Sequence, residues 1–293
     1  MINTSSIVYL SEKIMTNPLI QAYRKPALYI NLPSGGKYYN PAPKLSVDNE
    51  LAVYAMTAKD ELITKTPDAL FNGEATVSLI RSCCPDIPNP TQIPVNDLMV
   101  IMLAIRQASY NGDVEVETQC PECSHKNLVG VNCQVIMDSA DYAPKENKLV
   151  LDNGFEMNIS PYNLEDRTTI QIQQIKQIKM IEGLQQAEIN DNERQKLFGQ
   201  TFVELAELTI DLVTNCVTSV QAPGSQSEDI INDKEIIREW LQNITSKDYE
   251  KIKNKIDELS EDGISTKFNI SCEECSHQWQ TNIDLDIANF FAG

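Results

Sequence analysis

Two short stretches constrain this chain more than any other feature: Cys120-Pro-Glu-Cys123-Ser-His125 and Cys272-Glu-Glu-Cys275-Ser-His277. Each is a Cys-x-x-Cys followed by Ser-His, and each lies between segments of strand-like alternation. Asp113-Val-Glu-Val-Glu-Thr-Gln119 leads into the first and Leu128-Val-Gly-Val-Asn132 leads out. Lys267-Phe-Asn-Ile-Ser271 leads into the second and Gln278-Trp-Gln-Thr-Asn-Ile-Asp284 leads out. A tetrahedral zinc site takes four soft ligands, and two such knuckles supply them. The expectation is one four-cysteine Zn2+ site at Cys120, Cys123, Cys272 and Cys275, closing a zinc ribbon whose halves are separated by a long insertion.

Three rival readings meet obstacles. A redox Cys-x-x-Cys opens a helix in a βαβ context, whereas both pairs here lie between strands. Disulfides belong to oxidising compartments. A catalytic zinc keeps an open coordination position, whereas four thiolates close it. His125 and His277, the chain's only histidines, are placed where one could replace a cysteine as ligand. They read more simply as hydrogen-bonded or exposed rings beside a closed, structural site. The other cysteines, Cys83, Cys84, Cys133 and Cys216, are unpaired by spacing. Cys216 and one of Cys83 and Cys84 fall in apolar helical patterns, as buried thiols acting as small hydrophobes.

The rest of the chain reads as α+β: a mixed helical N-terminal domain plus the zinc ribbon, which a mainly helical insertion interrupts. Residues 1–26 form an N-terminal arm with Ile7, Leu10, Ile14 and Ile20 as its apolar positions. Residues 27–112 form an α+β domain. It has strands at Ala27–Leu32 and Glu50–Met56, helical pieces over 57–84 and a helix over Asp97–Tyr110 ended by Asn111-Gly112. Within 57–84, Thr57 or Ala58 starts one piece, Thr66-Pro67-Asp68 a second, and Glu74–Ser82 makes a third after Gly73. The Pro33-Ser-Gly-Gly36 stretch is a structural turn. A phosphate-cradling loop ends in Lys-Ser or Lys-Thr before a helix, whereas Lys37 here precedes Tyr38.

The ribbon halves are 113–133 and 266–285, and the insertion is 134–265. The insertion opens on a hairpin turning at Asn153-Gly154. A helix follows from an Asn163/Asp166 cap to about Glu182, with Ile172, Ile175, Ile178 and Ile181 as its stripe. A second helix spans about Asn192–Thr218, a loop covers Ala222–Glu228, and shorter helices lie near Lys234–Gln242 and Lys247–Leu259. These helices are expected to form a small bundle. The tail, 286–293, carries Phe290 and Phe291, an apolar pair that would seek a groove.

Charge narrows the function classes. The 42 acidic residues outnumber the 24 basic ones, a net charge of -18 that repels phosphate backbones and argues against nucleic acid. No apolar run is long enough to span a membrane, and Met1-Ile-Asn-Thr-Ser-Ser6 lacks a secretory pattern, which implies assembly in cytoplasm. No nucleophile elbow, His-Glu-x-x-His or Walker motif occurs, so neither enzymatic turnover nor a small-molecule substrate is expected.

An ordered string of residues adds to this. It comprises Leu32-Pro-Ser-Gly-Gly-Lys-Tyr38, Met56-Thr-Ala-Lys-Asp-Glu-Leu62, Lys65-Thr-Pro-Asp-Ala-Leu70, Asn72-Gly-Glu-Ala-Thr76, Ile80-Arg-Ser-Cys83, Ala104-Ile-Arg-Gln-Ala108 and Cys120-Pro-Glu-Cys123. Through it, residues 27–135 resemble the baseplate hub proteins of contractile-tailed, T-even-like bacteriophages. The resemblance implies a non-enzymatic structural or assembly role in the virion's tail baseplate. The implied partners are other hub and wedge proteins and the tail tube. Two other readings are a transient hub-assembly chaperone that is absent from the virion, and a zinc-ribbon regulator binding nucleic acid. The last needs a basic face beside the knuckles, where only Lys126 and Lys267 stand.

Overall fold

The computed structural model describes residues 24–64, 73–110, 113–143, 145–186, 191–224, 229–261, 264 and 267–282. Most of the N-terminal arm, the Thr66-Pro67-Asp68 helix start, the Asn111-Gly112 stop and the 286–293 tail lie outside the described residues. The chain is α+β, as expected.

The first core is organised around one helix. Strands β1 (Leu28–Ile30) and β2 (Leu51–Val53) pair antiparallel, Leu28 opposite Val53. Helices α1 (Ala58–Thr64) and α2 (Glu74–Cys83) follow, then a short 3-10 turn at Pro90–Gln92 and the long helix α3 (Val95–Tyr110). The spacing of Leu98, Ile101, Met102 and Ile105 predicts an apolar stripe. Instead every residue from Asp97 to Ile105 is buried, including Met99, Val100, Leu103 and Ala104. A helix apolar on all sides is stable only when surrounded. Here β1, β2, α2 and α4 (Cys133–Asp138) share its core.

Polar side chains lock this core. Asp97, fully buried in the first turn of α3, accepts hydrogen bonds from the Ser34 amide (2.7 Å), the Ser34 hydroxyl and Tyr39 Oη (2.8 Å). The Pro33–Gly36 turn is therefore pinned to a helix N-terminus, where a carboxylate is favoured by the helix dipole. That makes the turn structural, as its sequence implies. The Arg24 guanidinium reaches the carbonyls of Ala55 and Ser82 and the Asp60 carboxylate, joining the end of β2 to α1 and α2. Thr57 and Asp60 cap α1 reciprocally, the Asp60 carboxylate accepting from the Thr57 amide at 2.7 Å and the Thr57 hydroxyl from the Asp60 amide at 3.3 Å. Gly73 precedes α2 with φ 75°, and a Cβ there would lie 2.8 Å from Thr168 Oγ1, so a side chain has neither conformation nor room.

Two hairpin strands follow α3: β3 (Asp113–Gln119) and β4 (Lys126–Asn132), with Asp113 opposite Asn132. Beyond α4 comes a second core. Strands β5 (Lys148–Val150) and β6 (Glu156–Ile159) form the expected Asn153-Gly154 hairpin, with Gly154 at φ 87°. Helices α5 (Leu164–Gln186) and α6 (Asp191–Cys216) come next, then β7 (Val217–Gln221), β8 (Ile230–Ile231), α7 (Lys234–Asn243) and α8 (Ser246–Ser260). The strands make one antiparallel sheet in the order β5-β6-β7-β8.

The expected helical bundle is thus corrected to helices packed on a sheet. Met157, Ile159, Val217 and Val220 from the strands pack with Val213, Ile237, Leu241, Ile252 and Ile256 from the helices. The second long helix ends at Cys216, short of the expected Thr218, because Val217 and Thr218 enter β7 directly. Asn163 and Asp166 form the expected reciprocal cap at the start of α5, with bonds of 3.2 and 2.9 Å. The two cores are joined by backbone bonds from Val95 N to Tyr162 O and Leu164 N to Ile93 O, both 2.9 Å. Strands β9 (Lys267–Ser271) and β10 (Gln278–Asn282) close the described chain as a hairpin whose Phe268 packs against the first core.

Candidate metal centre

Both cysteine knuckles are built by the same local rules. In β3–β4 the last paired residues are Gln119 and Lys126, and in β9–β10 they are Ser271 and Gln278. The six residues between each pair close identically. Cys120 N donates to His125 O at 2.9 Å and Cys272 N to His277 O at 2.8 Å. Ser124 N donates to Cys120 O at 3.0 Å and Ser276 N to Cys272 O at 2.9 Å. Ser124 and Ser276 take the same left-handed conformation, φ 60° and 59°. Short polar side chains tolerate that region better than branched ones.

The two knuckles meet tip to tip. Cys120 Sγ lies 3.7 Å from Cys275 Sγ, and Cys123 Sγ lies 3.6 Å from Cys272 Sγ. The first cysteine of each hairpin thus faces the second of the other, and all four sulfurs lie within 4.8 Å of one another. Disulfide sulfurs sit about 2 Å apart, so these are free thiols. A tetrahedron with Zn–S bonds of about 2.3 Å has S–S edges of about 3.8 Å, close to both cross-hairpin distances. The donor set and its spacing fit a four-thiolate metal ion. Cys120 and Cys272 are buried at 1% and 2% exposure, while Cys123 and Cys275 face outward.

The electrostatics of the four thiols are uneven. Burial works against a charge on Cys272, but the amides of Cys275 and Glu274 and the neighbouring sulfurs outweigh it and draw that thiol down to about 6. At Cys123 the His125 amide favours the thiolate, yet desolvation and the adjacent sulfurs push the thiol up to about 12.

The four cysteines singled out by sequence are all here, and neither histidine joins the cluster. His125 and His277 contribute main-chain carbonyls to the knuckles, and the His277 ring stacks on Trp279 with centroids 6.1 Å apart. Asn127 is the residue that motif reading misses. Buried at 2% exposure, it accepts from the Glu273 amide at 2.9 Å and donates to His125 O at 3.1 Å, bridging the two knuckles. Its signal is a break in the repeat: Ser-His-Lys-Asn127 answers Ser-His-Gln-Trp279.

The remaining cysteines, Cys83, Cys84, Cys133 and Cys216, are buried and spread over both cores. Burial raises Cys84 and Cys216 well above the ordinary thiol range and Cys83 to about 11, which makes them inert packing groups. No described helix is long and apolar enough to cross a membrane.

Residues 26–292 match the family of T4 bacteriophage base plate proteins. This chain belongs to that family. The match takes in both knuckles and everything between them, well beyond the 27–135 stretch that carries the resemblance in sequence. Membership makes the chain a phage baseplate protein of the virion tail, one that interacts with other baseplate proteins. No curated protein and no solved structure matches it.

Proposed function

We propose that this baseplate protein is a non-enzymatic structural component of the baseplate hub, with its two hairpins clasped by one structural Zn2+ ion. Cys120, Cys123, Cys272 and Cys275 would hold the ion. A bound Zn2+ supplies four strong bonds between two segments far apart in the chain, and such a closed site contributes directly to folding. The chain's own residues preset the geometry through the matched turns and the Asn127 bridge. The observation that carries this reading is the tip-to-tip meeting of two hairpins that flank the entire insertion.

In this reading the chain divides into the arm 1–26, a hub-family domain 27–112, ribbon halves 113–133 and 266–285, the insertion 134–265 and the tail 286–293. Other hub and wedge proteins and the tail tube are its partners. Its acidic surface, 42 acidic against 24 basic residues, suits basic protein patches and repels nucleic acid.

Two measurements test the proposal. Metal analysis of the purified chain is expected to give about one zinc per chain, and Cys123→Ser to lose most of it. A fully folded chain that never carries metal overturns the clasp. Mass spectrometry of purified virions is expected to find the chain in the tail. Its absence there removes the structural role and leaves an assembly chaperone.

A further inference from the structure

Helices α5 and α6 form an antiparallel pair at the edge of the second core. Their proximal ends are anchored by buried Leu164 and Asp166 on α5 and by Leu212, Val213, Thr214 and Cys216 on α6. Beyond those anchors no described side chain is buried from Gln171 to Met180 or from Thr201 to Asp211. At about 1.5 Å per residue, the ten residues Gln171–Met180 of α5 extend about 15 Å without burying a side chain, while α6 runs beside α7 and α8, where Phe202, Leu205 and Thr209 share a groove with Leu241, Ile244 and Tyr249. Helical pairs gain little from propensity alone and are stabilised by packing.

One side of the pair is self-complementary in charge. Met180 and Thr201 face each other across the pair, at 3.1 Å from Thr201 Oγ1 to Met180 Sδ. Successive residues turn by about 100° around a helix, in opposite senses when two antiparallel helices are viewed from one end. From the Met180–Thr201 contact, Ile172, Lys176 and Lys179 of α5 and Glu204 and Glu207 of α6 all fall on the same side. The two lysines and two glutamates are exposed, and none of the four makes an ion pair within 4 Å among the described residues, although Arg238 of α7, paired with Asp211, also attracts Glu207. Val203, 59% exposed, flanks this side.

We propose that this side of the α5–α6 pair is a docking surface for a second copy of the same chain. A two-fold axis parallel to the helices sets α5 of one copy on α6 of the other, in an antiparallel four-helix arrangement. Lys176 and Lys179 then meet Glu204 and Glu207 twice over, while the rival orientation, α5 on α5, sets like charges together. A paired basic stripe in a chain of net charge -18 matches an acidic stripe, and the helix pair supplies one at the same height. The face covers roughly 500 Å² per copy, the lower edge of specific interfaces, so the association is weak and concentration-dependent.

Sedimentation of the full chain over a wide concentration range tests this. The wild type is expected to pass from monomer to dimer. Lys176→Glu with Lys179→Glu, and separately Glu204→Lys with Glu207→Lys, are each expected to raise the dissociation constant by roughly tenfold or more. An equimolar mixture of the two double variants is expected to recover dimer, because each then offers the charges the other needs. Recovery also shows that both variants are folded. A wild type that stays monomeric, swaps that leave the constant unchanged, or a mixture that fails to pair while both variants keep native far-UV dichroism overturns the proposal.

Discussion

Asn127 of β4 accepts a hydrogen bond at 2.9 Å from the backbone amide of Glu273, a residue 146 positions further along the chain. The same side chain donates to His125 O, so one buried amide satisfies groups in both knuckles. A part-buried hydrogen bond of this kind contributes about 0.5–1.5 kcal/mol. Asn127→Ala removes that acceptor without touching a cysteine. The expected outcome is a loss of about that size in urea unfolding and a weaker hold on zinc in a chelator competition. Asn127→Asp keeps an acceptor for Glu273 but loses the donor to His125, and is expected to lie between the two. If Asn127→Ala retains wild-type zinc affinity and stability, the bridge between the knuckles is idle.

The knuckles were legible because their information is local and repeated: each needs only its own six residues and two flanking strands. The Asn153-Gly154 turn and the Asn163/Asp166 cap were legible for the same reason. What escaped depends on partners distant in the chain. Strand β7 follows α6 without a Gly or Pro to mark the change, and Val217 becomes strand only because β6 lies beside it. Leu98–Ile105 reads as a one-sided stripe until four other elements are seen to surround α3. Asn127 carries no motif, and its role exists only where two hairpins meet.

Chelation distinguishes the clasp from the cores it joins. The first core buries Leu51, Leu79, Ile80, Leu98 and Ile101 with almost no exposure, and Cys120 and Cys272, though buried, are not members of that apolar cluster. Removing the metal is therefore expected to open the knuckles first. Limited proteolysis after EDTA treatment should cut near 120–125 and 272–277 while α3 stays protected in hydrogen exchange. Protection of both hairpins equal to that of the untreated protein would show that the sulfurs meet without help from a metal.

Asp97 gives a pH signature. Burial raises its carboxyl from 3.8 to about 6, against the favourable bonds from Ser34 and Tyr39. Its folded pKa lies above its unfolded one, so the folded state takes up the proton first as pH falls. The group's stabilising contribution is full below about 4 and is lost as pH rises through 6. That difference corresponds to about 3 kcal/mol. Asp97→Asn abolishes the titration while keeping an acceptor for the Ser34 amide. Urea unfolding at several pH values should show the wild type gaining on Asp97→Asn between pH 7 and 4. A difference that does not vary with pH removes Asp97 as the source.

Lys234 closes the far end of α6. Its Nζ donates to the carbonyls of Thr214 (3.0 Å), Asn215 (3.0 Å) and Val217 (2.7 Å), where the helix ends and β7 begins. The last carbonyls of a helix have no partner within it, and a cation there also meets the negative end of the helix dipole. Burial pulls the Lys234 amine below its ordinary range, while nearby Asp166 acts to keep it charged. Lys234→Met keeps the apolar stem and deletes the three bonds. The expected cost is about 2–4 kcal/mol, since bonds from a charged donor contribute more than neutral ones and three carbonyls lose their partner together. Hydrogen exchange should localise the effect: amides of β7 and the last turn of α6 lose protection, while those of β1, β2 and α3 do not. Uniform loss across the chain would mean that α6 does not end as a separate, locally capped unit, and that the junction into β7 is held by the sheet alone.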